Sequence, residues 1–104
     1  MILRMICYDI ENDRFRNKLA TKLLHFGFYR IQKSVFCGQH TPAQWERCKD
    51  IITKLFQRHG EEGDKIFVII LSKRMLEQME VLGEEIDTDL ILDKKLWLWI
   101  GEDD

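Results

Sequence analysis

Asp9 sits near the end of the apolar run Met5-Ile6-Cys7-Tyr8-Asp9-Ile10, a strand with no local use for a charge. An unpaired ionised group in an apolar setting costs several kcal/mol or titrates away. Asp9 is therefore expected at a rim or at work. The work open to it is holding a hard cation such as Mg2+ (or Mn2+), which is bound through one or two carboxylates plus waters. One Asp9 per chain is a thin ligand set. The competing reading is a strand-end residue that takes backbone or water hydrogen bonds.

A second chemistry is carried by Arg14, Arg16, Lys18 and Lys22, joined by Arg30 and Lys33. Such a cluster can contact phosphates, adding affinity that depends on salt and not on sequence. The alternative is a solvated helix face. Ser34 stands beside Arg30 and Gln32, but no His or acidic partner lies at readable spacing, so strand packing is its expected use. His25, His40 and His59 fall on a helix face, a loop and a helix end without shared ligand spacing, and read as surface histidines. Cys7, Cys37 and Cys48 form no C-x-x-C pair and are odd in number, which signals reduced, packed thiols.

The elements that must position these groups follow from periodicity. Phe15, Leu19, Leu23 and Phe26 recur at helical spacing between Asp13, read as the N-cap, and Gly27 as the stop. After Gly27 the period becomes two, and Phe28 to Gln39 reads as two strands joined tightly near Gln32 to Ser34. Thr41-Pro42-Ala43-Gln44 is a capping-box helix start. Trp45, Cys48, Ile52, Leu55 and Phe56 form the stripe of that helix, which ends near His59-Gly60. Residues 66 to 71 are apolar on both faces and read as a strand at the centre of a covered sheet. Ser72 caps a short helix through Leu82, stopped by Gly83. Leu90 to Leu92 and Leu96 to Ile100 read as strands around an Asp93-Lys94-Lys95 turn, and Trp97 and Trp99 as dimer core more than base-stacking groups.

The order β, α, ββ, α, β plus an extension fits an α+β, ferredoxin-like βαββαβ fold with two helices on one face of an antiparallel sheet. The other face needs a cover, and a two-fold homodimer is the default solution. With 104 residues, 45% hydrophobic and 33% charged, the chain suits one domain, 1–104, with about 84–104 as a C-terminal strand extension involved in dimerisation. No run is long enough to cross a membrane, and Arg4 and Asp9 interrupt any signal peptide, so a cytoplasmic protein is expected. The net charge of -2 excludes a polycation, but residues 1 to 33 hold seven Lys/Arg against three Asp/Glu, whereas residues 73 to 104 hold four against ten. That asymmetry hints at a polyanion-facing surface. The acidic end Glu102-Asp103-Asp104 is expected to be solvated, to keep the tail off DNA or to bind a basic partner.

Taken in order, the strand ending Tyr8-Asp9-Ile10, the helix start Asp13-Arg14-Phe15-Arg16-Asn17-Lys18-Leu19, the segment Arg30-Ile31-Gln32-Lys33-Ser34-Val35-Phe36-Cys37-Gly38 and the Thr41-Pro42 helix start resemble the CRISPR-associated protein 2 family. Its members are small partners of the spacer-acquisition integrase, CRISPR-associated protein 1. The resemblance spans most of the chain, and Arg-x-Gln-x-Ser-Val-Phe is its most specific element. Two positions depart from the pattern: an acidic residue is common where Cys37 stands, and an aromatic where Lys33 stands.

The resemblance implies a homodimer whose C-terminal strands cross to the partner sheet. It implies that Asp9 serves as catalytic and metal residue, shared across the dimer axis, with Tyr8, Gln32, Ser34 and Phe36 in support. It further implies one of two roles: a scaffold that bridges integrase subunits and holds double-stranded DNA, or an Mg2+-dependent endonuclease acting on DNA or single-stranded RNA. A toxin-type endoribonuclease or a non-catalytic interaction domain of the same fold is the alternative.

Overall fold

The structure, a computed structural model, describes residues 1 to 92. The expected strand Leu96 to Ile100, the Asp93-Lys94-Lys95 turn, Trp97, Trp99 and the acidic end lie outside the described residues.

Four strands and two long helices alternate as the periodicity requires: β1 (Ile2–Asp9), α1 (Asp13–His25), β2 (Tyr29–Gln32), β3 (Val35–His40), α2 (Pro42–His59) and β4 (Lys65–Leu71), followed by the short helices α3 (Lys73–Glu77) and α4 (Thr88–Ile91). The strands form one antiparallel sheet in the order β2-β3-β1-β4. This is an α+β, ferredoxin-like arrangement.

Local chemistry sets the boundaries. α1 is capped by Asn12, one residue before the expected Asp13, because the Asn12 Oδ1 accepts from the Phe15 N–H at 2.9 Å. Gly27 then turns the chain at φ 79, a left-handed geometry that costs glycine little. α2 opens with the expected reciprocal box: the Gln44 N–H donates to Thr41 Oγ1 at 3.2 Å and the Thr41 N–H to Gln44 Oε1 at 2.9 Å.

Alternation along β1 divides the core in two. Ile6 and Tyr8 face the helices and pack with Phe15, Leu19, Leu23, Phe36 and Cys48. Leu3 and Met5 face the other way, into a second cluster with Cys37, Leu76, Ile91 and Leu92. Fully burying side chains of this size contributes roughly 1.5–3 kcal/mol each. The sheet face away from the helices is thus covered in part by the chain's own residues 76 to 92, which corrects the expectation that another subunit alone must cover it.

Four further expectations are corrected. β4 is an edge strand, not a central one, and Phe67, Val68, Ile69 and Ile70 are each 43–65% exposed. An apolar pattern on both faces reports what a strand can bury, not its place in the order. Leu90 to Leu92 is not a strand: Asp87 Oδ1 accepts from the Leu90 N–H at 3.0 Å and starts α4, which buries Ile91. α3 stops at Glu77 rather than Leu82, while Gly83 takes a φ of 116 farther on. His40 is not a surface loop residue. It ends β3, is buried, stacks 4.4 Å from Phe28 and contacts the Phe26 carbonyl through Nε2.

Candidate functional site

The end of β1 is built around the tight β2–β3 turn. The Tyr8 side chain points into the helix-side core, stacks on Phe36 with ring centres 6.1 Å apart, and donates its hydroxyl to the Lys33 carbonyl at 3.1 Å. Burial pushes the Tyr8 phenol above its ordinary value, with the Arg30 and Arg16 charges pulling the other way, so the hydroxyl stays a donor at neutral pH. The Arg30 guanidinium donates to the same carbonyl through Nε at 3.2 Å and Nη2 at 2.7 Å, and its Cζ lies 5.3 Å from the Phe36 ring centre. The Tyr8 N–H donates to the Ser34 carbonyl at 3.1 Å, and Gln32 Oε1 accepts from the Lys33 N–H at 3.1 Å. Tyr8, Arg30, Gln32, Ser34 and Phe36 therefore fix one turn.

Arg16 holds the other side. Its Nη1 donates to the carbonyls of Ile10 at 2.8 Å and Glu11 at 2.7 Å, and its Nη2 pairs with Asp13. The β1–α1 connection is clamped by this side chain. Between the clamp and the turn lies an open groove of about 540 Å³, lined by Tyr8, Asp9, Arg16, Arg30, Lys33 and Ser34 among others. Asp9 is exposed there, opposite Lys65 in the β1–β4 register. It is the single acid among the described lining residues, set against three cations.

That donor set fits an anion such as a phosphate. It does not fit a divalent cation within one chain, and no group of three or more His, Cys, Asp or Glu side chains able to hold a metal occurs among the described residues. A cation here needs a second carboxylate beyond the described lining residues.

The remaining basic residues stand elsewhere. Arg14 and Lys18, one helical turn apart, lie beside the end of α2, where their charges and that of Arg58 act on His59. Burial first, then Lys18, Arg58 and Arg14, lowers the His59 pKa, and its ring sits 6.0 Å from Phe15. Lys22 lines a separate shallow groove with Lys18, Thr21 and Leu55. The six basic residues thus form two groups, Arg16 with Arg30 and Lys33, and Arg14 with Lys18 and Lys22, because Arg14 and Arg16 are about 200° apart around the helix.

Two groups were not singled out from the sequence. One is His59 with Arg58, invisible until α2 is laid against α1. The other is Arg4, whose even position on β1 turns it toward the helices: it is 7% exposed and its Cζ lies 4.5 Å from the Trp45 ring centre. Alternation from Ile6 was the signal that could have found it. Cys37 and Cys48 are buried free thiols pushed up to about 11, chiefly by burial, which agrees with a packing role. No described helix is long and apolar enough to cross a membrane.

Residues 1–79 match the family model described as CRISPR associated protein Cas2. The chain is 33% identical over 88 residues to the CRISPR-associated endoribonuclease Cas2 of Aeropyrum pernix, covering 84% of this chain and 91% of that protein. Among solved structures it is similar to Streptococcus pyogenes Cas2, with a TM-score of 0.66, 26% identity and coverage of 78% and 99%. It is also similar to a chain of a partial Cas6-RT-Cas1–Cas2 complex, with a TM-score of 0.68, 26% identity and coverage of 79% and 91%. With the fold and a family match over residues 1–79 in agreement, the chain belongs to the CRISPR-associated Cas2 family.

Proposed function

We propose that this chain acts in CRISPR spacer acquisition as a cytoplasmic homodimer that binds double-stranded DNA and bridges subunits of the integrase. The observation that carries this reading is the β1-end groove, where Arg16, Arg30 and Lys33 surround one carboxylate. Cations held on a rigid turn and a clamped loop suit the regular phosphates of a duplex, and none is arranged to read a base edge. Arg14 and Lys18 add a second basic group on another side of α1, beside the end of α2. Similarity to a chain in a Cas1–Cas2 complex supports the integrase as partner. The C-terminal residues, about 84–104, join the dimer in this reading.

The test is duplex binding across a salt series. Lys33→Glu, and separately Arg14→Glu with Lys18→Glu, should weaken binding and flatten the slope of log affinity against log salt by about one for each lost phosphate contact. Binding indifferent to all three changes defeats the assignment.

A second reading is favoured by the exposure of Asp9 and by relatives named endoribonucleases. Here two Asp9 carboxylates, one from each copy, share Mg2+ or Mn2+, which when bound supplies Lewis-acid polarisation of a phosphoryl oxygen and an activated water. Asp9→Asn should then abolish metal-dependent cleavage of RNA or DNA while leaving duplex binding intact or tighter. Undiminished cleavage by that variant rules this reading out.

A further inference from the structure

Away from the β1-end groove, α1 and α2 bring a second set of cations together. Arg14 and Lys18 are exposed one turn apart on α1, and Arg58 is exposed in the last turn of α2. Beside them His59 is half-buried, its ring 6.0 Å from that of Phe15 and tilted 39° to it. Phe15 also meets Phe56 edge-on at 5.9 Å, so both helices fix the imidazole. Its Nε2 is buried and has no hydrogen-bond partner among the described residues.

Every charge that acts on this ring is a cation: Lys18, then Arg58, then Arg14. The acids nearby in sequence are engaged or exposed. Asp13 pairs with Arg16, the Asp64 carboxylate accepts from the Glu61 N–H at 2.8 Å, and Glu61 and Glu62 are exposed on the turn that follows α2. Lys65, which opens β4, lies opposite Asp9 in the strand register. The helix dipole accounts for Arg58 and His59, because a helix C-terminus favours positive charge. It does not account for Arg14, which stands in the first turn of α1, where a cation is disfavoured. Like charges gathered without an acid repel one another, and an anion placed among them removes that repulsion.

We propose that Arg14, Lys18, Arg58 and His59 form a second phosphate-binding site, in which an arriving backbone phosphate of a duplex brings a proton from solvent onto the His59 ring. The proton settles on the imidazole nitrogen that carries none, and no bond to phosphorus forms or breaks. Without the phosphate, burial and the three cations keep the ring neutral. With it, the imidazolium is stabilised, so binding takes up a proton and affinity rises as pH falls. Arginine and lysine carry their charge throughout this range, so a cation set without histidine gives no such gain. The proposal rests on the duplex-binding reading above and adds a site and a proton to it.

Duplex affinity of the full chain, measured by fluorescence anisotropy at constant ionic strength, tests it. Binding should be about three- to tenfold tighter at pH 5.5 than at pH 7.5, since a tenfold gain corresponds to a one-unit rise in the ring pKa. His59→Gln should lose most of that gain, whereas His25→Gln should keep it. Arg58→Gln should weaken binding and flatten the salt slope by about one. If His59→Gln fails to fold, NMR titration of the His59 ring in the wild type should show its pKa moving up when duplex is added. A gain that survives His59→Gln, a ring pKa that stays put or falls, or binding indifferent to Arg58→Gln overturns the site while duplex binding stands. A wild-type chain that binds no duplex at any pH overturns both.

Discussion

The two ends of β1 handle charge in opposite ways. At one end Asp9 is exposed beside Lys33 and two arginines, Arg16 and Arg30, whose guanidinium groups are mostly spent on backbone carbonyls. Five residues earlier Arg4 is buried against Trp45 with a donor unanswered. The first end presents its charge as a surface; the second keeps its charge inside. A rigid, solvated set of cations suits a long polyanion that arrives in any register, whereas a buried cation stacked on a ring offers such a chain nothing to follow.

Five substitutions break or sharpen this contrast. Phe36 underlies both Tyr8 and Arg30, so Phe36→Ala should cost about 3–5 kcal/mol in denaturant unfolding and loosen the Asp9 end. A loss under about 1 kcal/mol would show that end to be pliant rather than locked. Tyr8→Phe removes one donor to the Lys33 carbonyl, which keeps its Arg30 bonds, so the cost should fall near 0.5–1 kcal/mol. Adding Arg30→Met should then cost more than the two single losses combined, because the Lys33 carbonyl is left without any side-chain donor.

Asp9→Ala should leave stability within about 0.5 kcal/mol, as expected of an exposed strand-end residue with no structural role. A larger loss would mean that Asp9 holds the fold. The smallest effect concerns His59. Its folded pKa is lowered, so above the unfolded value near 6.5 both states are neutral and it contributes nothing. As pH falls below that value the unfolded chain takes up the proton first, and stability declines. His59→Gln should flatten the acid side of the stability profile; a steeper decline would reverse the sign argued here.

Much of the frame was legible because its signals are local. The Thr41-Pro42-x-Gln44 box, the Gly27 stop and the switch to period two each act over a few residues, and α1, α2 and the β2–β3 pair follow them. α4 was not legible as such. Leu90-Ile91-Leu92 has strand-like side chains, and only the Asp87 cap together with burial beneath β1 and β3 makes a helix of it. The place of β4 at the edge could not come from an apolar run that would serve equally at the centre. The site was legible in part. Tyr8, Asp9, Arg16, Arg30, Lys33 and Ser34 meet at one groove, while Arg14, Lys18 and Lys22 turn away from it by helical geometry. Arg4 was overlooked because a lone arginine near the start of a chain carries no motif; its place comes from the Trp45 ring that α2 lays beside it.

The two buried thiols give the molecule a way to report on itself. Cys48 packs in the helix-side layer and Cys37 in the layer on the reverse of the sheet, and burial pushes both thiols up to about 11, so they stay protonated and unreactive at neutral pH. Each becomes alkylated only when its own layer parts. Trapping kinetics followed at the two positions would therefore read the breathing of each side of the sheet separately, with no label added. A ligand that steadies one side would slow one of these clocks and leave the other running.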